Sequence, residues 1–388
     1  MQNLKENLNN QISCLESLKL INFRNYNSLI IPDIDTGAVV LYGANGAGKT
    51  NILEAISLLT PGRGIRRSKP SEILNKSAES GKIWSVVSNV KTDFGDIKIA
   101  TGLDAAKDRR LVKINGELIK KQSILSNYLS CVWLTPQMDR LFMDSSSSRR
   151  RFFDRMVIAF DGGHSGRLAR YDNALLQRSK LLKDGMLDVS WLGALETQIA
   201  ETGIAIAAAR LDFIQRLQIA CDHAHNDEQK YFPRAKLSLN GMVEKLLLTM
   251  AAIEVEDIFK KDLESNRDRD AIIGGSSVGP HRSDLYVHYA TKNISAAQCS
   301  TGEQKALLIG IILSHARLLL AENGSPPLML FDEVPAHLDE DRRRALYDRL
   351  FALGGQVWMT GTDLKLFNSI RTNAQFFEVN DGSISSYE

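Results

Sequence analysis

This chain contains few cysteines and carries almost no net charge. Its four cysteines are scattered over 388 residues and form neither a C-x-x-C pair nor a zinc-ligand spacing. This usage is typical of reduced cytoplasmic proteins and argues against a disulfide framework. The formal net charge is only +2. No overall field therefore attracts nucleic acid, and any such binding requires local basic patches.

Long uninterrupted hydrophobic runs are also missing. The most apolar stretch, residues 306–321, contains His315 and Arg317 and is typical of a buried helix rather than a membrane span. The first residues, 1–10, are polar and lack the pattern of a signal peptide. We therefore expect a cytoplasmic protein without a membrane partner.

A glycine-rich loop that matches G-x-x-x-x-G-K-[ST] at every fixed position is the most informative stretch that is present. An apolar run of strand type precedes it, and residues 51–59 follow with apolar positions at helical spacing. In that context, backbone N–H groups and the helix N-terminus surround phosphate oxygens. Lys49 would reach the β- and γ-phosphates, and Thr50 would bind Mg²⁺. The predicted phosphate-binding residues are Gly43, Ala44, Asn45, Gly46, Ala47, Gly48, Lys49 and Thr50.

A second part of such a site follows much later in the chain. Leu328–Phe331 is an apolar run that ends in Asp332 and Glu333. Ligands of parallel sheets sit at the carboxyl ends of strands, where Asp332 could hold Mg²⁺ and Glu333 could orient or deprotonate the attacking water. An ordinary strand with an acidic turn is the alternative for this run taken alone.

The chain between the two parts is too long for a minimal single-domain NTPase and changes character along its length. Residues 1–146 are rich in predicted strands around one nucleotide-binding unit. Helical spacing dominates residues 147–273, and α/β character returns in residues 274–388. We therefore predict an α/β ATPase head that is interrupted by a mainly helical second lobe.

Ser300 and Glu303 form a capping-box pattern at the start of an apolar helix. One interpretation is a well-capped helix and nothing more. The other uses the same physics: Ser300, Gly302 and the helix N-terminus would form a second phosphate-binding surface. If it faces outward, that surface would complete the nucleotide site of a second subunit.

These motifs together resemble the ABC-type ATPase heads of SMC-like DNA repair proteins and, within that group, the bacterial RecF family. The segments that carry the resemblance include Phe-Arg-Asn-Tyr, Arg-Arg-Arg-Phe and Gly-Pro-His-Arg-x-Asp-Leu, which favour RecF over generic ABC ATPases. They lie at residues 18–26, 43–56, 149–154, 279–285, 300–305, 331–333 and 338–339.

The resemblance implies an ATP-dependent homodimer that closes around two nucleotides and clamps duplex DNA beside single-strand gaps. It implies slow ATP hydrolysis and action with the mediator proteins RecO and RecR in loading a recombinase. By the same resemblance, Lys49 and Glu333 are catalytic, Thr50 and Asp332 bind Mg²⁺, and Ser300 and Gly302 contact the partner's γ-phosphate. Gln137 is at the place of the glutamine loop, although a surface glutamine is an equal alternative. Thr360 is at the position of the polar switch residue.

Two basic clusters are candidates for DNA contact. Such clusters can supply salt-dependent contacts to phosphates, although a solvated face or internal ion pairs are the alternative for any single arginine. The candidates are Arg63, Arg66, Arg67 and Lys69 in one cluster, and Arg149, Arg150 and Arg151 in the other. We expect residues 342–344 to pair with the acidic residues just before them instead.

Two other classes of function compete with a DNA clamp. A regulatory ATPase subunit could reach DNA only through its partner proteins. The ATPase subunit of a transporter or nuclease complex is a weaker alternative, because transport heads are shorter and the sequence shows no nuclease-type cluster of carboxylates or histidines.

Overall fold

A computed structural model describes residues 13–79, 81–92, 95–185, 188–223 and 231–387. The polar start of the chain, residues 1–10, lies outside this description. Within it, two six-stranded sheets and one three-stranded sheet are combined with helices, so the predicted α/β class is confirmed.

The strands are numbered in chain order as follows: β1 (Cys14–Phe23), β2 (Tyr26–Ile31), β3 (Ala38–Tyr42), β4 (Ser85–Lys91), β5 (Ile97–Asp104), β6 (Arg109–Ile114), β7 (Glu117–Leu118), β8 (Cys131–Leu134), β9 (Ala235–Asn240), β10 (Asp284–Tyr289), β11 (Ile294–Ser295), β12 (Leu328–Phe331), β13 (Val357–Gly361), β14 (Ala374–Asn380) and β15 (Ser383–Ser386). The helices are α1 (Lys49–Ser57), α2 (Ser146–Phe160), α3 (His164–Lys183), α4 (Val189–His223), α5 (Met242–Leu247), α6 (Ala252–Ser265), α7 (Arg267–Ile273), α8 (Thr301–Asn323) and α9 (Glu340–Leu353).

Two compact units make up the chain. Of the described residues, the first unit comprises those within 13–139, 231–232 and 308–387, and the second those within 140–223 and 233–307. The domains predicted from sequence divide the chain differently after residue 273, because the second unit continues through β10 and β11 to the first turns of α8.

The first unit contains both six-stranded sheets. One has the order β15-β14-β3-β13-β12-β8, and its neighbours from β14 to β8 are parallel. Its central strands are short and fully buried, as expected for strands covered on both faces. The other sheet is antiparallel, with the order β2-β1-β4-β5-β6-β7, and its strands alternate between buried and exposed residues.

The last two strands were not predicted from the sequence. The run at residues 356–359 was expected to be the final core strand, but β14 pairs in parallel with β3 and β15 pairs with β14. A single helix was expected over residues 242–263, where the chain forms α5 and α6 instead. Both ends of α8 extend beyond the predicted residues 303–320.

Helices α2 to α7 and the three-stranded sheet β11-β10-β9 form the second unit. Its core packs apolar residues of α3, α4 and α6, among them Tyr171, Ile199 and Phe259.

A buried ion cluster lies beside this core. The guanidinium of Arg178 contacts Glu196 at 3.0 Å and Asp270 at 2.7 Å, and all three side chains are 1% exposed.

Helix α8 is the one described helix that is long and apolar enough, by length and composition, to cross a membrane. In the structure, 67% of its most apolar window is buried. A mostly buried core helix has the same properties, so this finding is weak evidence for a membrane span.

The buried ion cluster gives the first prediction. Replacing Arg178 by methionine leaves the buried carboxylate of Asp270 without its cation, while Glu196 keeps an ion pair with Arg267 at 2.5 Å. Arg178→Met should therefore lower the free energy of unfolding by about 3–5 kcal/mol. The matched control is Arg216→Met, which breaks an exposed pair with Asp212 on α4 and should cost less than about 1 kcal/mol. Urea unfolding measures both, and equal losses would contradict this role for Arg178.

Candidate nucleotide site and candidate DNA contacts

Three adjacent strands bring the predicted nucleotide residues to one edge of the parallel sheet. β13 lies between β3 and β12, with all three strands parallel. The phosphate loop follows β3, Asp332 follows β12, and Thr360 lies near the end of β13. Because the carboxyl ends of parallel strands lie at one edge, residues distant in sequence become neighbours there.

The phosphate loop joins β3 directly to α1. Gly48 precedes the helix with a φ of 114°, a conformation that other L-residues rarely adopt, and a Cβ there would lie 2.5 Å from the hydroxyl of Tyr26. Helix α1 has no side-chain cap and no acidic residue in its first turn. Its N-terminus therefore keeps the positive end of the helix dipole for an anion from outside the chain.

The Lys49 ammonium is folded back over the loop. It donates hydrogen bonds to the carbonyl oxygens of Gly43 at 2.8 Å and Ala44 at 2.9 Å. Burial lowers the pKa of Lys49, and the charges of Glu333 and Asp332 oppose that shift. The ammonium group is thus held inside the loop, which also contains Asn45, Gly46 and Ala47.

Asp332 connects the loop to the other two strands. Thr50 Oγ1 lies 2.9 Å and 3.0 Å from the two carboxylate oxygens of Asp332, and Thr360 Oγ1 donates to Oδ1 at 2.9 Å. Burial raises the pKa of Asp332, while the hydrogen bonds from Thr360 and Thr50 oppose the rise. These hydroxyl and carboxylate oxygens are the hard ligands that Mg²⁺ prefers, so the residues fit that ion.

Glu333 is held by its backbone in an unusual conformation. Its φ is 54°, which is uncommon for a residue other than glycine, and its N–H donates to Thr360 Oγ1 at 2.8 Å. One threonine hydroxyl therefore fixes both acidic residues, accepting a hydrogen bond from Glu333 and donating one to Asp332. This arrangement can hold a carboxylate beside the phosphate loop as a proton acceptor.

A further network beside the loop was not assigned by sequence reasoning. The carboxylate of Glu54 is 1% exposed and pairs with Arg24 at 2.5 Å and Arg66 at 2.7 Å. Arg66 also donates to Asn51, whose amide donates to Asn25 at 2.7 Å, and Asn25 donates to the carbonyl of Ala47 at 3.1 Å. In the sequence, the Phe-Arg-Asn-Tyr motif and the acidic residue in α1 were the features that could have indicated this network.

The second candidate phosphate surface lies at the start of α8. Ser300 and Glu303 form the predicted capping box: Ser300 N donates to Glu303 at 2.9 Å, and Glu303 N donates to Ser300 Oγ at 3.4 Å. An ion pair with Lys292 and the bonds from Ser300 lower the pKa of Glu303 to about 2. Ser300 and Gly302 are exposed. A residue that contacts another subunit must be exposed in the isolated chain.

Gln137 lies in a short 3-10 helix, Pro136–Met138, after β8. β8 pairs in parallel with β12, so Gln137 follows the strand next to the one that ends at Asp332. Its side chain is exposed. Its role in nucleotide binding stays a prediction.

The first basic cluster lies in the segment after α1. Arg63, Arg67 and Lys69 are exposed, whereas Arg66 pairs with Glu54 and Asn51 as described above. Hydrogen bonds to neighbouring elements hold the segment, because Ile65 N donates to Ser57 at 3.0 Å and Arg24 donates to Ser68 at 2.7 Å.

The second basic cluster lies in the first turns of α2. Arg149 makes two hydrogen bonds with the carboxylate of Asp284, at 2.8 Å and 2.7 Å, and Arg150 donates to the carbonyl of Ser283 at 2.5 Å. Arg151 is exposed and donates to Ser148 at 2.9 Å. All three arginines thus have partners within the second unit, and only Arg151 is bonded solely to residues of its own helix.

This fold and this phosphate loop define a class: the chain is an α/β ABC-type ATPase head. A family model described as "RecF/RecN/SMC N terminal domain" matches residues 14–385. RecF of Allorhizobium ampelinum is 45% identical over 374 residues, which covers 96% of this chain and 98% of that protein. RecF of Mesorhizobium japonicum is 45% identical over 376 residues, with the same coverage. The chain belongs to the RecF family of DNA replication and repair proteins.

Solved structures agree at the level of the fold. A structure of the recombination mediator protein RecF with ATP, in the RecFOR pathway, has a TM-score of 0.84 and 23% identity, covering 99% of this chain and all of that one. The Smc head domain of Pyrococcus furiosus, bound to the C-terminal domain of ScpA, has a TM-score of 0.52 and 17% identity.

The geometry of the loop predicts the effect of removing its cation. Lys49→Met should weaken binding of a nucleoside triphosphate about tenfold to a hundredfold, because it removes a charge-assisted contact to phosphate. Titration calorimetry measures this, with Lys76→Met as a matched loss of charge at an exposed site. Unchanged affinity of the Lys49 variant would show that the phosphates bind elsewhere.

Proposed function

We propose that the protein is an ATP-dependent clamp on duplex DNA that acts in recombinational repair and replication restart. It dimerises when ATP binds and hydrolyses ATP slowly. The observation that carries this proposal is the contact of Thr50 with Asp332 at 2.9 Å, because it joins the phosphate loop to the acidic strand end in one site. Family membership and the ATP complex of a RecF protein with the same fold support ATP as the ligand.

In the proposed site, each residue has a separate task. Gly43 to Thr50 surround the phosphates, with Lys49 turned from its carbonyl partners toward the β- and γ-phosphates. Thr50 and Asp332 hold Mg²⁺, which when bound neutralises charge on the phosphates. Glu333 accepts a proton from the water that attacks the γ-phosphate, and Thr360 keeps Glu333 in position. Gln137 supplies a further polar contact at the same sheet edge.

The nucleotide site is proposed to be composite. Ser300 Oγ and the backbone around Gly302 would contact the γ-phosphate held by the other subunit, because they are exposed at the N-terminus of a long helix. Glu303 now accepts the hydrogen bond of the Ser300 hydroxyl at 2.9 Å. The hydroxyl would have to exchange that partner for a phosphate oxygen when the dimer closes.

The proposed partners are DNA next to single-strand gaps, RecO and RecR. A structurally similar RecF is assigned to the RecFOR pathway, and the curated relatives are DNA replication and repair proteins. These facts support a cytoplasmic, nucleoid-associated protein that assists recombinase loading. A regulatory ATPase that reaches DNA only through partner proteins is the second candidate, and the pairing of Arg149 and Arg150 with residues of their own unit favours it.

A hydrolysis-deficient variant tests the composite site. With ATP, Glu333→Gln should be a stable dimer, because the nucleotide stays intact and keeps both subunits joined. Adding Ser300→Arg should return it to a monomer, since a bulky cation replaces the hydroxyl at the contact. Light scattering after size exclusion measures the mass. A Glu333→Gln protein that stays monomeric with saturating ATP would contradict the trans role of Ser300.

Salt-dependent DNA binding separates the direct clamp from the indirect alternative. The triple variant Arg63→Gln, Arg67→Gln and Lys69→Gln should reduce the slope of log affinity against log salt by about 0.9 for each phosphate that the variant no longer neutralises. Its control is Arg170→Gln, Lys260→Gln and Arg269→Gln, which removes the same charge from exposed positions of the second unit. Equal slopes for both variants would show that the basic segment does not contact DNA.

A further inference from the structure

The antiparallel sheet of the first unit turns one face to solvent. Its other face belongs to the core, where Leu20, Val86 and Ile99 are fully buried. Successive side chains of a strand point to opposite faces, and residues directly opposite on neighbouring strands point to the same face. The strand register therefore identifies the paired side chains of the solvent face, which we call the outer face.

Lysines from four different strands converge on this outer face. One row of paired residues crosses β1, β4, β5 and β6, and consists of Lys19, Val87, Ala100 and Lys113. Lys98 lies two residues before Ala100, and Lys91 lies four residues after Val87, so both point to the same side. All four lysines are exposed. Neighbouring strands are about 4.8 Å apart, so the Cα atoms of Lys19 and Lys113 are separated by roughly 14 Å.

Negative charge is scarce on the outer face. Among the described residues that the register places there, the one carboxylate is that of Asp104, and Arg109 Nε lies 2.9 Å from it. Aliphatic, serine and amide side chains occupy most other positions of the rows. Two further acids, Glu16 and Asp96, lie outside the paired positions and close to Cys14, at the end of the sheet that holds Lys91. Away from that end, the lysines form a positive field that acids of this face do not cancel.

The composition of the outer face discriminates between possible ligands. Protein interfaces are depleted in lysine and enriched in aromatic residues. The exposed, described positions of this face are rich in lysine and carry no aromatic ring, and their large aliphatic residues are Ile30, opposite Lys19, and Leu118, opposite Lys113. Single-stranded nucleic acid is bound by stacking its bases on aromatic rings, and these exposed positions provide no ring. Lysines spread over one exposed sheet face suit the regularly repeated phosphates of a duplex.

We propose that the outer face, through Lys19, Lys98 and Lys113, docks the phosphate backbone of duplex DNA. The proposal rests on the proposed DNA clamp and extends it, because it assigns DNA contact to a surface of dispersed lysines outside both basic clusters. Its contacts are to phosphates alone, so binding there is independent of base sequence.

The test is the salt dependence of duplex binding by the full chain. The triple variant Lys19→Gln, Lys98→Gln and Lys113→Gln no longer neutralises three phosphates. Its log–log slope should therefore be shallower by about 2.7, which extrapolated from 1 M salt makes its affinity weaker by about 500-fold near 0.1 M salt. Titrations from about 50 to 200 mM salt, read by fluorescence anisotropy of a labelled duplex, measure both quantities.

The matched control is Lys76→Gln, Lys82→Gln and Lys365→Gln, three exposed lysines of the same unit outside the sheet. It has the same net charge as the test variant and should keep the wild-type slope. ATP affinity should be unchanged in both variants, since neither alters the phosphate loop. If the triple variant does not fold, each single variant should lower the slope by about 0.9.

The outcomes separate this proposal from the clamp itself. If the wild-type chain binds duplex DNA in a salt-dependent way and the triple variant binds equally well, the outer face is not the docking surface and the clamp stands. If test and control lose affinity equally, net charge alone is responsible and the outer face is again excluded. A wild-type chain without salt-dependent duplex binding overturns direct DNA contact as a whole.

Discussion

The arrangement of the candidate nucleotide site depends on the hydrogen bonds that the carboxylate of Asp332 accepts. This residue is nearly removed from water, with 5% exposure, and accepts hydrogen bonds from Thr50, in the first turn of the helix that follows β3, and from Thr360, near the end of β13. Burial of a charged group is costly unless hydrogen bonds compensate it. The two hydroxyls provide that compensation only when β3, β12 and β13 lie side by side. The hydrogen bonding of the site therefore requires this order of strands in the sheet.

The sequence was sufficient wherever the signal was local. Strand, glycine loop and helix follow each other without interruption at residues 38–57, and Asp332 directly follows its strand, so patterns of a few residues predicted them. The network around Glu54 could not be predicted this way, because its partners Arg24 and Arg66 come from segments with no shared pattern. β14 and β15 were missed because they mix polar and apolar residues without strict alternation.

Charge density along the chain proved a poor guide to charge density on the surface. Arg149 and Arg150 are adjacent in sequence, yet they contact residues 135 and 133 positions away within the same unit. Lys19 and Lys113 are far apart in sequence, yet strand pairing places them in one row. Only the register of the sheet contains this information, since a shift by one residue would turn each lysine to the opposite face.

The left-handed backbone of Glu333 has a consequence for how this protein can change over time. A glycine at that position would relieve strain of about 1 kcal/mol, so mutation toward greater stability is readily available there. That same mutation deletes the carboxylate beside the phosphate loop. On the proposed role of Glu333 as the proton acceptor, backbone stability and ATP turnover therefore favour different residues at this position.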